Sequence, residues 1–244
     1  MFEVARVLYG SQNYGLDNFD SDKDYKVLMC PSFYDLYKST VLEQGHLSEK
    51  YDKAHYSVMD ARTFNRLLLK GNPNVLEMLF SVEWSQVQVE FDLFLNNARE
   101  LLEKGYLALQ WDNFYNATKG LSFNSVKRYG TDNPKAVSRL YFFYNVCEHL
   151  TKNNFAMTYA TWRNDAYCST ARELRFNKVF NVQQECEKFT NLFEYNTELF
   201  SKRAKKWREN HLEECKQLNE RANKLNQQMY NFVKQNVLER LVTE

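Results

Sequence analysis

The spacing of apolar residues changes character about halfway along the chain. Residues Glu3 to Tyr9 form a run of β-branched, apolar and aromatic side chains that Gly10 closes, the pattern of a buried strand. Similar short runs predict strands at about 3–9, 23–30 and 55–60. Ser32 is placed to cap a helix near 33–40, and a second helix is expected over about 61–70. Residues 73–80 read as a short helix opened by Pro73, and 90–104 as a longer one closed by Gly105. From Trp111 onward the period is helical. Over 134–151, Val137, Leu140, Tyr141, Tyr144 and Cys147 recur at spacings of three and four and make one apolar stripe. Over 183–243, Phe189, Phe193, Phe200, Leu218, Leu225 and Phe232 alternate with charge, which predicts one long helix or two joined by a turn.

The helix breakers follow the same division. All 7 glycines and all 3 prolines fall at or before Pro134, so only the first half has the punctuation of a sheet with turns. The expected fold is α+β: a small mixed β-sheet domain over residues 1–110, followed by an all-helical domain over 111–244.

Composition narrows the class of protein. With 44% hydrophobic and 16% aromatic residues the chain can build a sizeable core, in one compact domain or two small ones. A net charge of +1 argues against a broad basic surface for nucleic acid and leaves room only for a local patch. No run approaches the ~20 apolar residues of a membrane span, and the N-terminus has no signal-peptide pattern. The five cysteines (Cys30, Cys147, Cys168, Cys186 and Cys215) are scattered without a Cys-x-x-Cys pair, which suits reduced, buried thiols better than zinc. The expectation is a soluble cytoplasmic protein with no membrane partner.

The candidate chemistry is concentrated near the N-terminus. After the first strand comes Tyr9-Gly10-Ser11-Gln12-Asn13-Tyr14-Gly15, and soon afterwards Ser21-Asp22-Lys23-Asp24-Tyr25. Gly10 and Ser11 open a tight turn whose backbone N–H groups can cradle a phosphate. On a strand, Asp22 and Asp24 leave the same face, where two carboxylates and a triphosphate together suit a divalent ion. Asp17, Asp20, Asp22 and Asp24 are equally readable as an acidic surface loop.

These residues resemble the DNA polymerase β-type nucleotidyltransferase superfamily, whose signature is hydrophobic-Gly-Ser, a gap, then Asp-x-Asp. More narrowly the chain is similar to predicted nucleotidyltransferases of bacteria and tailed phages, some of which accompany RNA ligases. That narrower likeness rests on Ser21 to Lys26, Pro31 to Tyr37 and Lys70 to Phe80, with an echo at Asn133 to Ala136 and Arg139-Leu140. It spans about residues 4 to 145. The resemblance implies a magnesium- or manganese-dependent enzyme that moves a nucleoside monophosphate from a triphosphate, with ATP expected, to a hydroxyl and releases pyrophosphate. The acceptor it suggests is an RNA 3′ end or a protein side chain.

Gly10, Ser11, Lys135 and Arg139 are then the candidate nucleotide-binding residues, and Asp22 and Asp24 the catalytic metal ligands. Lys135 and Arg139 share a helix face at i, i+4, with Lys127 and Arg128 upstream, although a solvated face has the same pattern. Such enzymes usually supply a third carboxylate from a neighbouring strand, and in this chain Ser57 stands in that place. Asp60 is the retained candidate catalytic acid nearby, equally readable as a helix cap, and Asp52 is a further possibility. Without a third acid, the alternative is a weakened nucleotidyltransferase fold that binds a nucleotide, RNA or protein. Asn72 and Asn74 read as caps, and Glu77 as a partner for Arg62 or Lys70. Lys202, Arg203, Lys205, Lys206 and Arg208 surround Trp207, a cluster able to stack a base or track RNA, or simply to be a solvated helix face. Of the histidines, His55 alone falls on a strand that approaches the site.

Overall fold

The computed structural model describes residues 1–13, 15–17, 21–38, 54–176 and 181–243. Strands β1 (Phe2–Tyr9) and β2 (Lys23–Cys30) are followed by a short helix α1 (Phe33–Tyr37) and by β3 (Ala54–Asp60). Helices α2 (Ala61–Leu69) and α3 (Pro73–Leu79), a two-residue strand β4 (Trp84–Ser85) and α4 (Val89–Glu103) complete the first half. After a 3₁₀ turn at Tyr106–Ala108 come α5 (Trp111–Tyr129), α6 (Pro134–Lys152), α7 (Tyr159–Trp162) and α8 (Asp165–Phe176). Two long helices finish the chain, α9 (Val182–Asn210) and α10 (Leu212–Thr243).

The strands form one mixed sheet in the order β3-β2-β1-β4. β1 lies antiparallel to β2 and β4, whereas β2 and β3 are parallel. The fold is α+β, with a small sheet and a large helical part.

Local signals in the chain account for most of the boundaries. Ser32 and Asp35 form a reciprocal capping box at the start of α1, and Asp35 also meets the N-terminal ammonium at 3.3 Å. Asn72 caps α3 ahead of Pro73, and Asn133 caps α6 ahead of Pro134. Gly105 ends α4 in the left-handed conformation that a side chain disfavours. The turn between the last two helices falls at His211, which settles the choice between one long helix and two. β4 was not expected; its two residues are too few for a periodicity to register.

One apolar core runs from the sheet through α4 into the later helices, with Val7, Leu28, Phe64, Phe94, Trp111, Phe143 and Phe200 among its members. The stripe expected on α6 is buried at Val137, Leu140, Tyr144 and Cys147, against α5, α8 and α9. α10 returns to pack on α2 and α4, so the end of the chain covers the first half. All five cysteines are free thiols, Cys215 alone being partly accessible. Among the described residues no helix is long and apolar enough to cross a membrane.

Candidate functional site

The C-terminal end of β1 and the N-terminal ends of β2 and β3 meet at one end of the sheet. The register sets Tyr9 opposite Asp24, and Asp24 beside His55, so these three side chains form a row on one face. The next row inward holds Val7, Lys26 and Ser57. Asp22 lies just ahead of β2, with its carboxylate 3.8 Å from His55 Nε2. The structure therefore brings Asp22 and Asp24 together around one imidazole.

Gly10 is required twice over. Its φ is +86°, in the region that side chains disfavour, and a Cβ there would come within 3.0 Å of Asp24 Oδ2. The chain then turns tightly, with Gly10 O accepting from Asn13 N–H at 3.0 Å and Ser11 O from Leu16 N–H at 2.8 Å.

Three side chains hold this loop, and none was singled out for that task in the sequence. Glu77, buried on α3, accepts the Gly10 N–H through its carboxylate. Asn13, also buried, donates to the Glu77 carbonyl at 3.0 Å and accepts from Val82 N–H at 3.2 Å. Arg163, between α7 and α8, donates to the carbonyls of Asn13 and Gln12 at 3.2 and 3.3 Å. Asn13 lies within the Gly10–Gly15 turn and was open to notice. Arg163 belongs to a helix hairpin with no motif around it.

A cleft of about 200 Å³ opens beside the loop, with Gly10, Ser11, Asp24, Lys135, Arg139 and Arg175 among its walls. Lys135 and Arg139 come from the first turns of α6, whose N-terminal backbone dipole adds positive potential there. The Asp24 carboxyl is raised above the usual aspartate range by burial and by Asp22, against the opposing pull of His55, Lys135 and Lys26. Burial lowers the Lys26 ammonium, which Glu77 and Asp24 partly offset. Lys26 also sits 5.0 Å over the Tyr9 ring, whose hydroxyl is 3.4 Å from Ser57 Oγ. The cleft thus sets the Asp24 carboxylate, on the sheet face, against cations from the helices.

The sequence profile of the RNA repair pathway DNA polymerase beta family matches residues 4–140. The match includes every residue described here in the row Tyr9, Asp24 and His55, the glycine turn, and the start of α6. This chain belongs to the RNA repair pathway DNA polymerase beta family. Membership carries a nucleotidyltransferase-type role, and the matched segment contains both Gly10-Ser11 and Asp22-x-Asp24. Arg163 and Arg175 lie beyond the matched segment. A comparison with curated proteins finds no match.

Several expectations change. Asp60 is fully buried as the cap of α2, bonded to Arg62 N–H at 2.7 Å and paired with the Arg62 guanidinium at 2.5 Å. At ~3.3 Å per residue it lies roughly 16 Å along β3 from His55, so it has no part in the cleft. Ser57 is buried one row below Asp24, and the residue directly beside Asp24 is His55. Glu77, expected to pair with Arg62 or Lys70, turns its carboxylate to Gly10. Asn74 lines the cleft, whereas Asn72 acts as the cap.

Lys127 and Arg128 are exposed at the end of α5 and do not line the cleft. The basic cluster on α9 is largely occupied: Lys202 meets Glu198 at 2.6 Å, and Arg208 donates to Ala108 O at 2.7 Å. Trp207 packs inward on Phe155 and stacks on His211, so it is no platform for a base. Asp52 and Asp20 lie outside the described residues, as do Tyr14, His46 and positions 39–40.

Among the described residues no group of three or more His, Cys, Asp or Glu side chains is gathered for a metal. Asp22 and Asp24 fit a divalent ion as a pair, provided that a substrate's phosphate oxygens and water complete the ligand set.

Proposed function

We propose that this protein transfers a nucleoside monophosphate from a nucleoside triphosphate, with ATP the expected donor, to a hydroxyl at an RNA 3′ end. The observation that carries this reading is the cleft in which Gly10, Ser11 and Asp24 face Lys135 and Arg139. A backbone turn, a carboxylate and two cations converge there, and membership in a polymerase β-type family supports reading that arrangement as a nucleotidyl-transfer site.

In this reading Lys135 and Arg139 neutralise the phosphates, and Ser11 at the turn positions them. Asp22 and Asp24 would hold magnesium or manganese, which would draw negative charge from the α-phosphate and favour ionisation of the acceptor hydroxyl. The acceptor oxygen forms a bond to the α-phosphorus as the bond to the bridging oxygen breaks. Pyrophosphate leaves with that electron pair, and the hydroxyl proton passes to solvent. His55 holds the two aspartates at the mouth of the cleft. An RNA acceptor is favoured over a protein side chain by the family's place in RNA repair.

One observation favours a second reading. The strand position expected to bear a third carboxylate is an uncharged, buried Ser57. A site with two acids at this end of the sheet among the described residues suits a module that binds a nucleotide, RNA or protein with little turnover.

The test is to incubate the purified protein with each of the four α-labelled triphosphates, RNA bearing a free 3′ hydroxyl, and magnesium or manganese. Label on the RNA with matching pyrophosphate release, both lost in Asp22→Asn and Asp24→Asn, supports the transferase. Tight triphosphate binding without pyrophosphate release supports the binding module.

A further inference from the structure

The cleft has a third cation that comes from outside the family's matched segment. Arg175, in the last turn of α8, lines the same cleft as Gly10, Asp24, Lys135 and Arg139. Its guanidinium is partly buried, and burial lowers its pKa against the opposing charge of Asp17. Taking an arginine partly out of water is unfavourable unless an anion meets it.

Across the cleft, Arg139 Nε is buried and has no hydrogen-bond partner among the described residues, although its guanidinium rests 5.5 Å from the centre of the Phe143 ring. An unpartnered buried donor is costly in a folded protein and is relieved by a ligand oxygen. Two arginines and a lysine therefore surround a space that also contains the carboxylates of Asp24 and Glu77. Those carboxylates do not relieve Arg139 Nε.

We propose that Arg175 is a phosphate-binding residue which, with Lys135 and Arg139, selects a nucleoside triphosphate over a monophosphate. The proposal rests on the reading of this cleft as a triphosphate site. Guanidinium groups suit it because their planar fork gives two parallel bonds to phosphate oxygens. Arg175 and Arg139 approach the cleft from different helices, so a chain of phosphates can meet each guanidinium with a different phosphate group. The selectivity follows from charge and reach: a triphosphate carries more negative charge and more phosphate oxygens than a monophosphate, so it gains more from a third cation in the cleft.

The experiment measures calorimetric binding of ATP and of AMP, with magnesium, to the full-length parent and to Arg175→Gln, Arg175→Lys and Arg172→Gln. Arg172 stands one turn earlier on α8 and lines a neighbouring groove, so it controls for charge on the same helix. Arg175→Gln should weaken ATP binding by about tenfold or more, change AMP binding by less than about twofold, and flatten the salt dependence. Arg175→Lys, which keeps the charge and loses the fork, should fall between parent and Gln. Arg172→Gln should bind as the parent does. Thermal melts identify any variant that is not folded, in which case the Lys variant decides.

Parent-like ATP binding by Arg175→Gln, or an equal loss for ATP and AMP, would overturn the proposal while leaving the cleft's general reading intact. A parent protein that binds neither nucleotide would overturn both.

Discussion

The carboxylate of Glu77 accepts the backbone N–H of Gly10, which joins a buried helix to the turn at the end of the first strand. The Gly10 amide, expected to help cradle a phosphate, is therefore already satisfied. What the turn offers a ligand is the position of Ser11 beside the cleft. Glu77→Ala should leave the Gly10 amide unsatisfied and cost about 1.5–3 kcal/mol, whereas Glu77→Gln, which keeps an acceptor, should cost less than half of that. Urea denaturation of the three proteins checks the order. Equal loss in both variants would mean that the charge, and not the acceptor, holds the turn.

Gly10→Ala should be more damaging than an exposed glycine replacement. The left-handed backbone alone costs about 1–2 kcal/mol for a side chain, and the new methyl would press on Asp24 Oδ2 at 3.0 Å. Because that contact falls on a candidate metal ligand, the variant should also lose triphosphate-dependent manganese binding, read by electron paramagnetic resonance. Retained manganese binding with lowered stability would separate the turn from the acids.

The latch from the helical half can be tested without touching the cleft. Arg163 holds the carbonyls of Gln12 and Asn13, and Arg163→Ala should free that loop at a cost of about 1–2 kcal/mol. Hydrogen exchange should quicken at the amides of Asn13 and Leu16, with the β1–β2 ladder unchanged. Triphosphate affinity should fall several-fold, since ordering the loop would then be charged to binding. Unchanged exchange in the loop would show that Asn13 and Glu77 suffice to hold it.

Much of this scaffold was legible in the chain because its signals are local. A strand ended by Gly10, the cap residues Ser32, Asn72 and Asn133, and the stripe on α6 each depend on neighbours within a few positions. The cleft's cations Lys135 and Arg139 were legible for the same reason, as one helix face in a recurring motif. Glu77, Arg163 and Arg175 were not. Each reaches the site across a long separation in sequence, and the packing of α3, α7 and α8 decides where they point. Asp60 was misplaced for a related reason: a carboxylate at a strand-to-helix junction serves the helix, and only the register shows how far it lies from Asp24.

The Asp24 carboxyl gives a pH dependence with a definite sign. Burial raises its pKa, so in metal-free protein the native state holds that proton more tightly than the unfolded chain does. Its contribution is favourable below the unfolded value of 3.8 and is lost as pH rises through the higher native value. Asp24→Asn cannot ionise, so in EDTA it should match or exceed the parent's stability at neutral pH, with the advantage disappearing in acid. Magnesium with a triphosphate should reverse the order at neutral pH by stabilising only the parent. Denaturation across roughly pH 3 to 7 reads both effects. An advantage of the Asn variant that grows in acid would contradict the sign.

The missing charge at Ser57 gives the sharpest test of whether the site is weakened or merely arranged differently. Ser57 is buried beside the Tyr9 hydroxyl, and the register sets it next to Lys26, one row below Asp24 and His55. An aspartate there would be costly to bury alone, yet Lys26 is at hand to pair with it. Ser57→Asp should therefore lose only about 1–3 kcal/mol in EDTA and bind manganese more tightly than the parent. If a third acid is what catalysis lacks, nucleotide transfer to RNA should rise by roughly a hundredfold or more, the usual scale of general-base help. His55→Ala provides the contrast, because His55 already touches Asp22 and stands beside Asp24. A parent activity that collapses in His55→Ala and does not rise in Ser57→Asp would show that the imidazole has taken the third place. Tighter metal binding without any gain in transfer would instead assign the fold to binding.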